Sequence, residues 1–398
     1  MAIKHLICAL LPFVCNGKSK ERLFMDKIKD TGSKTFFKQV FDKIRQKSNP
    51  QGEEEKPLVA IFDMDGTLGS ASLLSPVLAY QIQNLKFAFD SEDVDDVFGF
   101  ALANQDCVPT LINFGMKKSI LFKDVVSKIR TTLEKYPLGL KSPTPVLDSD
   151  KEEFGAYVSF WQRVAYDHMK HRKHCEYLAT TIKHRVLYKM DLTARKTILE
   201  FVLNTDLKGK DYDSYQNDFL GTERIRVIRP AVYEEQKALI KALIEQNVTP
   251  YVISTTPKYY LKFLINKFEL DINLEHVFGS ATLAESDGKD LTAVDRDVLR
   301  GFGHAANGRG KVEIIQARME GKKPVFVAGD SMGDFEMLTH VLDEGGFALI
   351  QQGKPVDDRL IKLVENTNKD KEIKRAHIQN VDLKVVKWIR DMKGSSKQ

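Results

Sequence analysis

The chain has 398 residues, of which 42% are hydrophobic and 29% charged, a composition typical of a folded globular protein. The formal net charge of +5 comes from residues 1–56, where twelve Lys and Arg face seven Asp and Glu, so the remainder is close to neutral. This balance argues against a nucleic-acid-binding body and indicates a basic N-terminal extension.

The first residues resemble a weak signal peptide, with Lys4 and His5 ahead of an apolar run, but the features expected after these bases are incomplete. The apolar run 6–14 is short, contains Pro12 and is not followed by a cleavage site of small residues. No apolar run approaches the roughly 20 residues that a transmembrane helix needs. The cysteines have no zinc-finger spacing and are too few for a disulfide scaffold: Cys8, Cys15, Cys107 and Cys175. A reducing, cytoplasmic location is therefore expected, with secretion into a host cell or peripheral membrane attachment as alternatives.

The segment 33–47 is predicted to form an amphipathic helix. Five apolar side chains recur on one face, with lysines around them: Phe36, Phe37, Val40, Phe41 and Ile44. Such a face either packs on the body of the protein or lies on an anionic membrane or partner, and both interpretations are open at this point. Residues 48–57 contain two prolines, a glycine and a glutamate run, and are predicted to be a linker.

The rest of the chain is predicted to be an α/β protein with an insert. A buried strand at 58–62 precedes a mainly helical stretch, 71–226, in which 212–219 has the polarity of a loop. From 227 onwards apolar strands alternate with amphipathic helices, which predicts a parallel sheet covered on both faces. We expect four parts: an extension (1–56), a core (57–70 and 227–365), a helical insert (71–226) and a C-terminal basic tail or helix (366–398).

Three of the predicted strands end in polar side chains. The first is followed by Asp63 and Asp65, the second ends in Ser-Thr-Thr at 254–256, and the third is followed by Asp330 and Asp334 in GDSMGD. Ligands of a parallel α/β sheet bind beyond the carboxyl ends of its strands, so these groups are expected to meet.

Asp63 and Asp65 should point to the same side of the extended chain, with Met64 turned away. Such a pair can supply one nucleophile and one group that gives and takes a proton. Gly66 allows the chain to turn sharply, and Thr67 can donate to a bound anion.

Several carboxylates at one point would repel each other unless a cation joined them, and all-oxygen ligands suit Mg²⁺, which can bridge to a phosphate. A phosphoryl group also needs donors. The candidates are Ser254, Thr255, nearby backbone N–H groups and Lys311, which opens the helix before the third strand. Lys289 is a weaker candidate for the lysine.

The ordered set FDMDGT, VIST, a lysine and GDSMGD resembles the four motifs of the haloacid dehalogenase (HAD) superfamily of phosphohydrolases, over residues 58–352. The resemblance implies a Rossmann-like core and Mg²⁺-dependent phosphoryl transfer through an aspartyl-phosphate. It implies that Asp63 is the nucleophile and Asp65 the general acid and base. Ser254 and Lys311 would then hold the phosphoryl group.

The same resemblance implies the metal ligands. These are Asp63, the backbone carbonyl of Asp65, and Asp330, with Asp334 supporting the metal or its waters.

The insert resembles the helical cap of phosphoserine-phosphatase-like and phosphocholine-phosphatase-like members, but it is longer. The implied function is hydrolysis of a phosphomonoester in a small phosphorylated metabolite, with no nucleic acid involved. The basic amphipathic N-terminus motivates one alternative, a phosphoprotein (phosphotyrosine) phosphatase that is a secreted bacterial effector. The other alternative is an inert scaffold or binding module.

The segment 167–175, DHMKHRKHC, also contains groups that could ligate a metal. His168, His171 and Cys175 share one face of a predicted helix. A solvated basic face is the favoured interpretation. A third interpretation is that this basic helix helps to select an anionic substrate.

Overall fold

The computed structural model describes residues 19–47, 56–99, 106–115, 118–137, 146–169, 172, 175–204, 212–228, 230–280, 306–353, 356–383 and 386–388. Several predictions fall outside these residues: the N-terminal apolar run with Cys8 and Cys15, most of the linker, His171, Lys289, and the end of the chain after 388.

Among the described residues, two helices precede the first strand, α1 (Lys20–Lys27) and α2 (Thr31–Lys47). The five apolar side chains predicted on one face of α2 are all buried. The ring of Phe36 lies 5.9 Å from that of Phe347, and Phe37 stacks on Trp388 at 5.6 Å between centroids. This face therefore packs on the body of the protein, as the first interpretation predicted. A membrane contact through the same face would require α2 to leave the sheet.

The first strand, β1 (Leu58–Phe62), leads into the insert. The insert is mainly helical but contains two antiparallel hairpins. Its elements in chain order are α3 (Leu74–Asn84), α4 (Val94–Val97), β2 (Leu111–Phe114), β3 (Lys118–Leu121), α5 (Phe122–Lys135), α6 (Asp148–Met169), α7 (Glu176–Arg185), α8 (Leu192–Asn204), β4 (Tyr212–Asn217) and β5 (Gly221–Arg226).

The prediction of a loop at 212–219 is wrong, because β4 occupies most of it. Alternate residues of β4, Asp213 and Tyr215, are buried, as expected for a strand with one inward face. Because the inward-facing Asp213 is charged, the sequence of β4 does not show the alternation of apolar and polar residues that is typical of a strand. This aspartate is accommodated because the Gln83 side chain donates a hydrogen bond to its carboxylate.

The insert has a hydrophobic cluster of its own, and a disulfide joins Cys107 to Cys175 within it. The expectation of reduced cysteines is therefore wrong for this pair. The two residues are 68 positions apart, so only the folded chain brings their Cα atoms to 5.6 Å. The bond also removes the Cys175 thiolate, and the metal interpretation of 167–175 is wrong for that residue.

The second half of the chain alternates helices and strands, as predicted. The elements are α9 (Glu234–Glu245), β6 (Val248–Pro257), α10 (Lys258–Lys267), β7 (Val277–Ser280), α11 (Arg309–Arg318), β8 (Lys323–Gly329), α12 (Phe335–Asp343), β9 (Phe347–Gln352), α13 (Asp358–Asn368), β10 (Ala376–Asp382) and β11 (Lys387–Trp388).

Seven strands form one sheet in the order β11-β10-β9-β8-β1-β6-β7, in which only the β10–β11 pair is antiparallel. The α/β fold class is thereby confirmed. The sheet continues past the predicted core, because β10 lies in the region expected to be a tail or helix. Its buried Gln379 made the strand hard to recognise, and this side chain accepts a hydrogen bond from Ser33 at 2.6 Å.

Strand β1 lies at the centre of the sheet, between β6 and β8. Ala60 and Phe62 face one apolar cluster, whereas Val59 and Ile61 face the other. The carboxyl ends of the three strands that carry the candidate residues are therefore adjacent. Among the residues described, no helix is both long and apolar enough to cross a membrane.

Candidate active site

The two aspartates after β1 enter a cavity at the carboxyl edge of the sheet, and Met64 between them is buried in the core. This is the alternation predicted for an extended segment. The backbone N–H of Asp63 donates to the carbonyl of Ala328 in β8 at 3.0 Å, so the sheet holds the start of the turn.

Lys311 connects the first and third strand ends. Its Nζ donates to Asp63 Oδ1 at 2.7 Å and to Asp334 Oδ1 at 2.6 Å, and all three side chains are buried. Burial lowers the pKa of Lys311, but the charges of Asp334 and Asp63 outweigh this effect and raise it. Lys311 is therefore a fixed cation. Burial also raises the pKa of Asp63 well above its usual range, against the opposing charge of Lys311.

Asp334 is held on its other side by the chain. Its Oδ2 accepts hydrogen bonds from the backbone N–H groups of Asp330 and Ser331 at 3.0 and 3.1 Å, and from the Ser331 hydroxyl at 3.2 Å. Both oxygens are thus used, and the carboxylate orients Lys311 and the turn that carries Asp330.

The turn after Asp65 depends on Gly66, whose φ of +86° favours glycine. A Cβ atom at this position would lie 2.1 Å from Asp330 Oδ2. The backbone of the turn after β1 therefore lies directly against the carboxylate of Asp330, which follows β8.

Gln351 in β9 holds this turn in place through side-chain hydrogen bonds. Its Nε2 donates to the carbonyls of Gly66 and Thr67 at 3.1 and 2.8 Å, and its Oε1 accepts from Gln236 at 2.7 Å. Gln351 cannot be recognised from the sequence, because no motif marks a glutamine at the end of an apolar strand.

The side chain of Asp65 is held by β6. The Thr256 hydroxyl donates to Asp65 Oδ2 at 2.7 Å. Burial raises the pKa of Asp65, opposed mainly by this hydrogen bond and also by the nearby charge of Lys183. A carboxyl group with a raised pKa suits proton donation. The only indication of Thr256 in the sequence is its position directly after Ser254 and Thr255, the predicted donors to a phosphoryl group.

The structure separates the predicted phosphate-binding residues into two groups. Thr255 and Lys311 line the cavity. Ser254 and Thr67 are fully buried, and neither is part of the cavity wall. Within the described part of the chain, the Thr67 hydroxyl has no hydrogen-bond partner, whereas the Ser254 hydroxyl accepts from the N–H of Thr256 at 3.4 Å.

Three of the predicted metal ligands lie together. Asp63, Asp330 and Asp334 each offer a carboxylate oxygen, and these oxygens lie within 4.8 Å of one another. With Lys311 as the buried ammonium between them, an excess of two negative charges remains. A divalent cation with oxygen ligands fits this donor set. The side chain of Asp65 is not part of the group.

The cavity has a volume of about 1010 Å³, and the insert forms much of its wall. The contributing elements are the start of α3, the C-terminal part of α6, the end of α7, and the β4–β5 hairpin. Lys183 of α7 donates to the Ser75 hydroxyl of α3 at 2.6 Å. The insert thus places cations in the wall of the cavity at the strand ends, and their position cannot be read from the sequence.

The family model of the haloacid dehalogenase-like hydrolases matches residues 161–339. This range contains the second, third and fourth of the ordered motifs. No curated protein matches the chain.

Solved structures match the chain as well, two of them as follows. One is a conserved protein of unknown function from Anaerococcus prevotii DSM 20548, with a TM-score of 0.62, 16% identity, and coverage of 90% of this chain and 97% of that chain. The other is a phosphoserine phosphohydrolase-like protein from Francisella tularensis subsp. tularensis SCHU S4, with a TM-score of 0.31, 12% identity, and coverage of 77% and 99%. The first of these supports the fold.

Proposed function

We propose that the chain is a hydrolase of the haloacid dehalogenase-like family, whose model matches residues 161–339, and that it is a Mg²⁺-dependent phosphatase that acts through a phosphorylated Asp63. The observation that carries this proposal is the position of Lys311, whose ammonium touches both Asp63 and Asp334. A buried lysine between two carboxylates neutralises charge at the point where a phosphoryl group would arrive.

The carboxylates fit a magnesium site by the chemistry of their donor atoms. Asp63 and Asp330, together with the backbone carbonyl of Asp65, would hold the cation, and Asp334 would support it. When bound, the cation would neutralise phosphoryl oxygens and lower the pKa of Asp63.

In the first step, a carboxylate oxygen of Asp63 forms a bond to phosphorus as the bond from phosphorus to the leaving oxygen breaks. Lys311 holds Oδ1 of Asp63, which leaves Oδ2 for the attack. Asp65, with its raised pKa, gives a proton to the leaving oxygen. Thr256 holds the Asp65 carboxyl group in place for this transfer.

In the second step, Asp65 takes a proton from a water molecule as the water oxygen attacks phosphorus. The bond between phosphorus and Asp63 breaks, which releases inorganic phosphate and restores the free carboxylate. The insert above the cavity would exclude other water from this intermediate.

The cavity favours a small phosphorylated metabolite over a protein as the substrate, because the insert covers the strand ends. The phosphoprotein alternative rests on the basic amphipathic N-terminus, and the apolar face of its helix α2 is buried. The disulfide supports secretion rather than the expected cytoplasmic location, because disulfides persist in oxidising compartments.

The test is hydrolysis of p-nitrophenyl phosphate by the full chain with Mg²⁺. The Asp63→Asn variant should lose at least about a thousandfold in kcat, and EDTA should abolish turnover. The matched control is Asp148→Asn, since that aspartate is fully exposed on the insert. Acid quenching with labelled substrate should trap label on the wild type and not on Asp63→Asn. An inactive wild type with Mg²⁺ present would favour the scaffold alternative.

A further inference from the structure

We propose that the substrate carries a second anionic group besides its phosphomonoester, and that Arg224 and Arg226 of the insert bind this group. The inference rests on the proposed function, because it names the class of molecule that the same cavity accepts. It rests on two arginines that lie on the same hairpin and line the same cavity.

The β4–β5 hairpin directs both arginines to one side. Alternate residues of β5 face opposite ways, so Glu223 and Ile225 are buried in the insert, whereas Arg224 is exposed and Arg226 half-buried. Arg224 is paired with Ser214 across the hairpin, and Arg226 with Tyr212. Both arginines line the cavity that contains Asp63 and Lys311.

A third arginine of the insert, Arg163, has a counterion of its own. Arg163 of α6 forms a bidentate ion pair with Glu223, at 3.1 Å from Nε and 2.6 Å from Nη2. Its charge is therefore neutralised within the insert, and we do not assign it to the substrate.

Among the residues that the structure describes, Arg224 and Arg226 have no such counterion. In the described part of the chain, neither side chain forms an ion pair, and Arg226 Nε is buried without a hydrogen-bond acceptor. A buried guanidinium N–H group without an acceptor is unfavourable, and an anion in the cavity would supply one. The planar donor fork of arginine matches a carboxylate or a phosphate.

The cavity wall also carries the carboxylates of Asp167, Glu336 and Asp357 outside the strand-end cluster. Asp357 is paired with Arg359 at 3.0 Å, and Lys183 adds a further cation on the insert side. A volume of about 1010 Å³ leaves room for more than a phosphoryl group. A substrate that ends in a carboxylate or a second phosphate fits this wall, whereas a quaternary ammonium, as in a phosphocholine-like compound, would be repelled.

The experiment compares matched alkyl phosphates: hexyl phosphate, its analogues with a terminal carboxylate or a terminal second phosphate, and its analogue with a terminal trimethylammonium group. In the wild type, an anionic terminus should raise kcat/KM about tenfold to a hundredfold over hexyl phosphate, and the ammonium should lower it. The carboxylate and phosphate arms identify which anion is preferred.

The variant is Arg224→Gln with Arg226→Gln, in which the ratio of kcat/KM for anionic over neutral substrate should fall to near one. The control is Arg130→Gln on the same insert, whose arginine pairs with Asp95 away from the cavity, and it should keep the wild-type ratio. Arg226→Lys should retain part of the preference because it retains the charge. These ratios compare two substrates on one protein sample, so a partly unfolded variant does not distort them.

Failure of the inference differs from failure of the proposed function. If the wild type hydrolyses hexyl phosphate and the anionic analogues equally well, or if the double variant keeps the preference, the inference is overturned and the phosphatase stands. If the wild type hydrolyses none of them, the phosphatase falls. Calorimetry with hexylphosphonate and its carboxylate-bearing analogue then still tests the arginines, and equal affinities would overturn the inference.

Discussion

Replacing Gly66 by alanine should damage the site much more than it damages the fold. The residue has φ +86°, and the added Cβ would lie 2.1 Å from Asp330 Oδ2 and 2.4 Å from its Cγ. The chain offers a matched control in Gly321, which has φ +73° and no atom within 4 Å of the added Cβ. Both variants carry backbone strain, and only Gly66→Ala also displaces a carboxylate.

The two effects have different magnitudes. A left-handed conformation for alanine costs about 1–2 kcal/mol, so both variants should lose about that much free energy of unfolding. For Gly66→Ala, the gap must widen from 2.1 Å to at least 3.0 Å, a displacement of 0.9 Å for Asp330 or for the turn. A displacement near 1 Å in a catalytic arrangement costs about a hundredfold in rate.

The assay combines urea unfolding with p-nitrophenyl phosphate hydrolysis in saturating Mg²⁺. We expect similar unfolding midpoints for the two variants, together with a kcat/KM for Gly66→Ala about a hundredfold below that of Gly321→Ala. Calorimetric titration with Mg²⁺ should also show weaker binding for Gly66→Ala. Equal activity in the two variants would refute the contact between this turn and Asp330.

Three further predictions concern the insert and Asp65. Replacing both Cys107 and Cys175 by serine opens a loop of 68 residues and should lower the free energy of unfolding, measured in urea, by about 4 kcal/mol. A reductant should not destabilise that variant further through this bond. Burial and the charges of Arg195 and neighbouring cations lower the pKa of His184 to about 3. The imidazole therefore stays neutral in the folded protein, whereas in the unfolded chain it binds a proton below pH 6.5. Wild-type stability should therefore fall relative to His184→Asn by about 2 kcal/mol between pH 7 and pH 5, and parallel pH profiles would contradict this. Thr256→Val removes the hydrogen bond to Asp65 and should slow alkyl phosphates about tenfold more than p-nitrophenyl phosphate, whose leaving group needs less proton donation; an equal loss on both would argue against the acid role.

Much of the fold could be predicted because it follows from local patterns. The apolar run of β1 and the alternation of strands and helices after 227 correspond to the observed core. The prediction was wrong where a polar side chain faces inward, as Asp213 does in β4 and Gln379 does in β10. Each is accommodated by a partner distant in sequence, Gln83 and Ser33, which no local pattern contains.

The same limit applies to the site. Asp63 and Asp65 stand out because a buried strand ends in two carboxylates, and GDSMGD stands out for a similar reason. Thr256 and Gln351 do not stand out, because their importance lies in single hydrogen bonds to the turn after β1. The pairing of Cys107 with Cys175 is of the same kind, since spacing alone argued against it.

The sequence by itself determined the chemistry that each strand end can offer, because carboxylates, hydroxyls and a helix-opening lysine are properties of short segments. Only the tertiary structure decided how these groups combine. Lys311 reaches Asp63 across 248 residues, and the arginines of β5 face the same cavity from a separate insert. Parallel strands align their carboxyl ends whatever the length of chain between them, so the site is assembled by the sheet, and the insert then sets the charge of the wall that faces it.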